Sequence, residues 1–416
     1  MSKKNKRIPE LRFPEFKNEG EWEIKTIGDV ANSESSSMAL NKLDLKPTGY
    51  PVYGADSIVG YIDEFQHKDK YISIVKDGSG VGRLNLCQSN SSILGTLTSL
   101  KSKNKKQYDL VWLYYLLNTV DFSVYVKGAG IPHIYYSDFK NEIVPVPNPK
   151  EQQKIASCLA SLDDLIESHN QKLDLLKDHK KGLMQNLFPQ EGEKVPNFRF
   201  PEFKKDGNWI KETVGDIYEF KVTNSFSREN LNYENGTVKN IHYGDIHTKF
   251  NTLFDIAKED VPFINPDVSI EKIRKESYCN VGDIVFADAS EDMNDVGKSI
   301  EIVNLSNEKL VSGLHTLLAR QKKKKLAIGF GGYLFKSGWV RKQIQREAQG
   351  AKVLGISATR ISNVQILYPD NHKEQQKISS CLASLDELIT ENTEKIEQLK
   401  RHKKGLMQGL FPKMND

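Results

Sequence analysis

The chain has 416 residues, 27% of them charged, a formal net charge of +4 and four cysteines, a length that allows two or three domains with ample buried cores. So small a net charge argues against a generic polyanion binder and confines any nucleic-acid surface to local patches; two of the cysteines, Cys158 and Cys381, are copies of one position, and the four lack both the density of a disulfide framework and the paired spacing of a zinc site. No window reaches transmembrane length and the basic opening residues have no apolar run behind them, so the sequence predicts a soluble, cytoplasmic protein with no membrane partner.

The first recognisable stretch is a leading segment, Pro9-Glu10-Leu11-Arg12-Phe13-Pro14-Glu15-Phe16, with Trp22 and Gly28-Asp29 behind it. A first body follows. Tyr71 to Val75 reads as a strand entering a glycine turn at Gly78-Ser79, then Val81-Gly82-Arg83. A strand-like run ends in the basic turn Lys101 to Lys106, a helix is predicted around Trp112 to Leu117, and a glycine loop, Gly128-Ala129-Gly130-Ile131-Pro132-His133, leads to a final strand.

From Glu151 to Pro189 the pattern changes to a helix. Positions 155, 159, 162, 166, 169, 173, 176, 180, 183 and 187 alternate spacings of four and three, and eight of the ten are Ile or Leu. That is a heptad seam, which needs a partner seam. The same stretch returns from Glu374 to Pro412 at a constant offset of 223 without a gap, so the gene carries an internal duplication and the chain supplies the partner itself. An antiparallel pairing of the two gives pseudo-twofold symmetry, and about 38 residues at ~1.5 Å each make a rod of roughly 57 Å. His169 with Asn392, and Lys180 with Lys403, are polar at matching seam positions; they either control register or, for the lysines, mark where the seam opens. Pro189 and Pro412 are expected to stop the helices.

The leading segment also returns, as Pro196 to Phe203 with Trp209 and Gly215-Asp216, at an offset of 187, so the second body is longer than the first by the 36 residues separating the two offsets. It repeats the order of features: Gly282 to Ser290, an acidic insertion at 291 to 295, Val296-Gly297-Lys298, a basic turn from Arg320 to Lys325, a helix around Tyr333 to Phe335, and the glycine loop Gly350 to Gly355. The expected organisation is α+β: bodies at 1–149 and 190–368, held apart by two long antiparallel coiled-coil helices at 150–189 and 369–416.

Catalytic chemistry is hard to find in this sequence. Asn148-Pro149-Lys150 lacks the second proline and the aromatic of a base-holding methyltransferase motif, and neither Pro266-Asp267 nor Pro369-Asp370 is followed by a fitting acid-x-Lys nuclease pattern. Gly297-Lys298-Ser299 lacks the first glycine of a phosphate loop, since position 292 is Asp. Arg83 and Lys298 occupy matching places where a long cation can reach a phosphate or a guanine edge, the alternative being a solvated loop charge. The basic turns read mainly as solvated hairpin tips, and His133 as either a contact or a structural turn histidine.

The Lys-Glu-Gln-Gln-Lys-Ile opening and the Lys-Lys-Gly-Leu-Met-Gln-x-Leu-Phe-Pro close of each helix, present twice around a variable body, resemble the specificity subunit of a type I restriction-modification system. The resemblance is specific at Lys150 to Pro189 and Lys373 to Pro412 and weak in the bodies. It implies that the bodies are target-recognition domains, each reading one half of a bipartite, asymmetric site in double-stranded DNA, and that the helices form the spacer. It implies no catalytic residue, metal or cofactor in this chain. Two modification subunits using S-adenosylmethionine, and restriction subunits using ATP and Mg, are the partners that it implies. The DNA-contact candidates are Lys76, Ser79, Arg83, Lys127, His133 and Tyr135 in the first body, and Ser290, Lys298, Lys352 and Arg360 in the second. Two rivals belong to other classes: a non-catalytic coiled-coil adaptor or DNA-binding protein outside a restriction system, which needs no basic loops if it is purely an adaptor, and a self-sufficient methyltransferase, which needs a cofactor pocket.

Overall fold

The computed structural model describes residues 7–412; the basic residues that open the chain and its last four residues lie outside that range. Two compact units are present. One is formed by the residues up to Gln171 together with those from Thr393 on, the other by Lys172–Asn392. The expected boundaries at 149/150, 189/190 and 368/369 lie close to where body meets helix, but packing divides the chain inside the helices. The reason is that each half-helix buries its apolar face in a body core.

The two long helices run Pro149–Leu187 and His372–Leu410, 39 residues each. The side-chain carbonyl of Asn148 accepts from Lys150 N (3.0 Å) and Glu151 N (3.0 Å), and Pro149 fills the first helical position, where its missing N–H costs nothing. Asn371 plays the same part for the second helix, accepting from Lys373 N at 3.0 Å. Both helices end two residues before their proline.

In the first unit the core gathers Trp22, Ile72, Ile74, Trp112, Leu113 and Leu116 around Ile155 and Leu159 of the first helix and Leu410-Phe411 at the end of the second. In the second unit the same places are filled by Trp209, Ile284, Phe286, Phe330, Tyr333 and Leu334 around Ile378 and Leu382, with Leu187-Phe188 closing the set. Within each unit, then, the start of one long helix packs beside the end of the other, and the pairing is antiparallel. Trp22 meets Phe411 edge-on at 6.3 Å, and Trp209 meets Phe188 edge-on at 6.2 Å.

Each body is built on one sheet plan. In the first, the order is 31–35, 97–102, 71–75, 84–87, all antiparallel, beside a three-stranded sheet of 58–62, 50–53 and 92–93. The second repeats this order with 218–221, 316–321, 284–287 and 299–304, and adds a parallel edge strand at 253–255. A two-stranded ribbon ties the beginning of each body to its end, Glu23–Thr26 with Ile143–Val146 and Ile210–Thr213 with Gln365–Tyr368. The longer second body has two helices that the repeat pattern did not foretell, Tyr243–Thr248 and Gly338–Glu347.

The basic turns are exposed at their tips, Lys103 to Lys106 and Lys322 to Lys324, as expected, while cations in and beside the tips are paired. Arg320 donates to Asp283, whose carboxylate is 2% exposed, from Nη2 at 2.6 Å, and Lys325 grips both oxygens of Glu212 at 2.6 and 2.7 Å. Lys101 pairs with Glu34 at 2.7 Å and Lys105 with Asp69 at 2.8 Å. A buried carboxylate such as Asp283 must be paired, and Arg320 on the neighbouring strand supplies the cation.

Candidate nucleic-acid interface

In the first body the strand Tyr71–Val75 runs into a turn whose Gly78, Gly80 and Gly82 have φ of +88°, +83° and +86°, left-handed geometry that a side chain resists. A second loop folds back on itself, with Lys127 N donating to His133 O at 2.9 Å and His133 N to Lys127 O at 2.8 Å. Gly128 is required at its start: φ is +90°, and a Cβ there would collide with the Ile131 carbonyl. The two loops are stitched together, Gly78 N to Pro132 O at 2.9 Å and Ile134 N to Lys76 O at 2.8 Å. The stitching brings Lys76, Ser79, Arg83, Lys127, His133 and Tyr135, scattered over sixty positions of sequence, onto one loop pair.

The second body repeats the joint. Ala289-Ser290 pairs with Leu354-Gly355, and Gln349 bridges Gly355 as Lys127 bridges His133. Gly355 therefore stands where His133 stands in the first body, and Gly350, with φ of +134°, where Gly128 does. Arg83 and Lys298 are structural equivalents. Val75 N donates to Arg83 O at 2.9 Å while Gly82 N donates to Val75 O at 2.9 Å; Ala287 N donates to Lys298 O at 2.9 Å while Gly297 N donates to Ala287 O at 3.0 Å.

The side chains themselves are less alike than their backbones. Arg83 is half exposed and paired with Asp56 on the neighbouring hairpin loop. Lys298 is turned inward: its ammonium donates to His247 O at 2.7 Å and lies 3.5 Å from Asp295. The helix carrying His247 has no counterpart in the first body, which explains why equivalent cations have different surroundings. Lys127 is exposed and donates to Asp138 at 2.6 Å; that contact, with the Tyr135 N–H behind it, holds the Asp138 carboxyl below the usual carboxylate range. His133 is partly exposed with its ring 5.3 Å from that of Tyr135, itself half exposed. Ser79 and Lys352 are exposed and Lys76 partly so. Ser290 Oγ accepts from Asp292 N at 3.0 Å at the start of the acidic insertion. Arg360 donates to Glu347 O at 2.7 Å, capping the helix Gly338–Glu347.

Several residues of this surface were not singled out from sequence. Arg341 organises the acidic insertion, donating to Gly297 O, Asn294 O and Val296 O at 2.9, 3.0 and 2.8 Å; burial lowers its pKa. His242, Tyr243 and His247 lie on the added helix segment, with Tyr243 4.6 Å from His242 and 5.3 Å from His315 by ring centroids. Arg228 reaches the buried Asp245 at 2.8 Å and His242 Nδ1 at 3.2 Å. Except for His315 and Arg341, these residues precede the strand–turn feature used to align the two bodies, so the repeat offered no signal for them.

The geometry gives two α+β bodies on one plan, each presenting a stitched loop pair beside the long helices. Residues 19–178 match the model of the type I restriction modification DNA specificity domain. The type I restriction enzyme MjaVIII specificity subunit of Methanocaldococcus jannaschii is 26% identical, across 96% of this chain and 93% of its own length. The MjaIX specificity subunit of the same organism is 25% identical over 73% of this chain and 67% of its own. The crystal structure of the type I restriction-modification S subunit from M. genitalium shares the fold with a TM-score of 0.68 at 18% identity, covering 98% of this chain and all of that one. The chain is thus similar along almost its whole length to type I restriction-modification specificity subunits.

Proposed function

We infer that this chain gives a type I restriction-modification complex its DNA target, each body reading one half of a bipartite, asymmetric sequence. The observation that carries this reading is that one backbone frame is used twice with different side chains on its stitched loops: Gly355 takes the place of His133, His315 that of Thr96, and an inward-turned Lys298 that of Arg83. A frame kept while its loops diverge suits the reading of two different base sequences. As a specificity subunit the chain is non-catalytic. The chemistry belongs to its partners, modification subunits that use S-adenosylmethionine to methylate adenine and restriction subunits that cleave using ATP and Mg.

Two modification subunits fit the helices. Outside the seam, several exposed positions are identical in the two copies: Ser161 and Ser384, Leu165 and Leu388, His179 and His402, Lys181 and Lys404, Gln185 and Gln408. Leu165 is 42% exposed and Leu388 43%. A leucine kept exposed at the same place in both copies suits one partner binding at each. Among the described residues no helix is long and apolar enough to cross a membrane. The complex is placed in the cytoplasm, beside the DNA it reads.

The test is methylation of a duplex library by this chain, by the modification subunits, and by both together. Only the mixture is expected to methylate, and only at adenines in a split sequence. Methyl transfer by the purified chain alone would overturn this reading.

A further inference from the structure

Thr96 and His315 hold one place in the two frames. Lys76 N and Asp77 N donate to Thr96 O at 2.9 and 3.3 Å, and in the second body Asp288 N donates to His315 O at 3.0 Å. Each residue therefore sits beside the turn that carries the candidate contacts. Both are exposed.

At this place the second body adopts an unusual backbone. His315 has φ of +55°, the left-handed region that residues other than glycine seldom occupy, and such strain persists only where the surroundings impose it. Its ring is held on two sides. Tyr243 meets it edge-on at 5.3 Å, and Nδ1 lies 3.2 Å from Asp288 Oδ1. A carboxylate can only accept, so Nδ1 carries a hydrogen and, in the neutral ring, Nε2 is an acceptor. Among the described residues Nε2 of His315 has no hydrogen-bond partner, and the side chain is 50% exposed.

We propose that His315 is a specificity-determining residue of the second body, its Nε2 reading the edge of one base pair in the half-site that this body recognises. The proposal rests on the DNA-reading role inferred above. In the major groove the amino groups are N6 of adenine and N4 of cytosine, while guanine and thymine present acceptors; where that donor lies across the groove differs among the four base pairs. A fixed acceptor therefore favours one orientation of pair at one position. Thr96 presents a short hydroxyl at the same place in the first body, so one frame position is equipped to read different letters in the two half-sites.

The experiment uses the full chain with its modification subunits and a panel of duplexes, each with one base pair of the target replaced. Wild type is compared with His315→Gly, which accepts φ of +55° without strain and so removes the imidazole while favouring the fold, and with His315→Gln, which restores a side-chain acceptor. The expected result is that His315→Gly loses about tenfold or more of the discrimination at one pair of the second half-site, keeps the profile of the first half-site, and regains part of the loss in His315→Gln. Wild-type discrimination at every pair in His315→Gly would overturn the proposal. So would a uniform loss of affinity for all duplexes, which marks a structural or phosphate role. If the wild-type complex itself prefers no duplex, the DNA-reading role fails, and the assignment of His315 with it.

Discussion

The Arg12 guanidinium lies fork-to-fork on the Glu151 carboxylate, Nε to Oε1 and Nη2 to Oε2 both at 2.8 Å, with that carboxylate 1% exposed. Arg199 and Glu374 repeat the geometry at 2.8 and 2.7 Å. This contact explains why the leading segment and the first turn of the long helix recur together: each needs the other's charge. Arg12→Ala leaves a buried carboxylate without its cation and is expected to cost about 3–5 kcal/mol. Replacing both partners by apolar residues is expected to cost less than the single change. Urea midpoints of the two variants check this.

The lysines of the heptad seam are paired. Lys403 forms an ion pair with Asp163, which also accepts from the Tyr115 hydroxyl at 2.6 Å; Lys180 pairs with Asp386, which accepts from Tyr333 at 2.8 Å. Each ammonium also lies over the ring of the same tyrosine, at 5.2 and 5.7 Å. Because Asp163 is 40% exposed, Lys403→Ala is expected to cost only about 0.5–1 kcal/mol, shrinking as salt is raised. A loss that does not change with salt would show the stem's packing to be the larger contribution.

The helices were legible in the sequence because a 3.5-residue period and an ungapped copy are strong, redundant signals. The two-body α+β plan was legible because the order of features survived divergence. What escaped was everything set by tertiary context. No local pattern reveals that Arg320 faces Asp283, that a helix inserted only in the second body captures Lys298, or that Thr96 and His315 coincide. The loops could be named from sequence, but the direction of each cation depends on neighbours distant in the chain.

Two buried groups of the second unit set a pH dependence. Burial pushes the Glu301 carboxyl up to about 7 although Gly329 and Gly332 donate to it at 2.7 Å each, and burial pushes the Lys336 ammonium down to about 7. Between about 4.5 and 7 the folded unit holds a proton on Glu301 that the unfolded chain has released, so this group's contribution falls as pH rises. Between about 7 and 10.5 the unfolded chain holds a proton on Lys336 that the folded unit lacks, so stability rises with pH. The effects are on the order of 3 kcal/mol for Glu301 and 5 kcal/mol for Lys336. Glu301→Gln is expected to flatten the acid side of the urea-midpoint profile and Lys336→Met the alkaline side; profiles parallel to wild type would refute both assignments.

For the loop cations the expectations differ between bodies. Arg83→Ala, removing a half-exposed side chain, should weaken binding of the assembled complex and, if Arg83 touches phosphate, lower the slope of log K against log salt by about one. Lys298→Ala should disturb the contact with His247 first and show as lost stability of the second unit. Binding isotherms at several salt concentrations, beside urea midpoints, separate the two outcomes.

The central claim is that each body reads its own half of the target. Replacing residues 20 to 146 by the corresponding segment of a relative with a different target, and sequencing the methylated sites of cells carrying the hybrid, tests it most directly. The account predicts that one half of the methylated sequence changes and the other stays letter for letter as it was. A hybrid that folds and methylates but alters both halves, or neither, would contradict it.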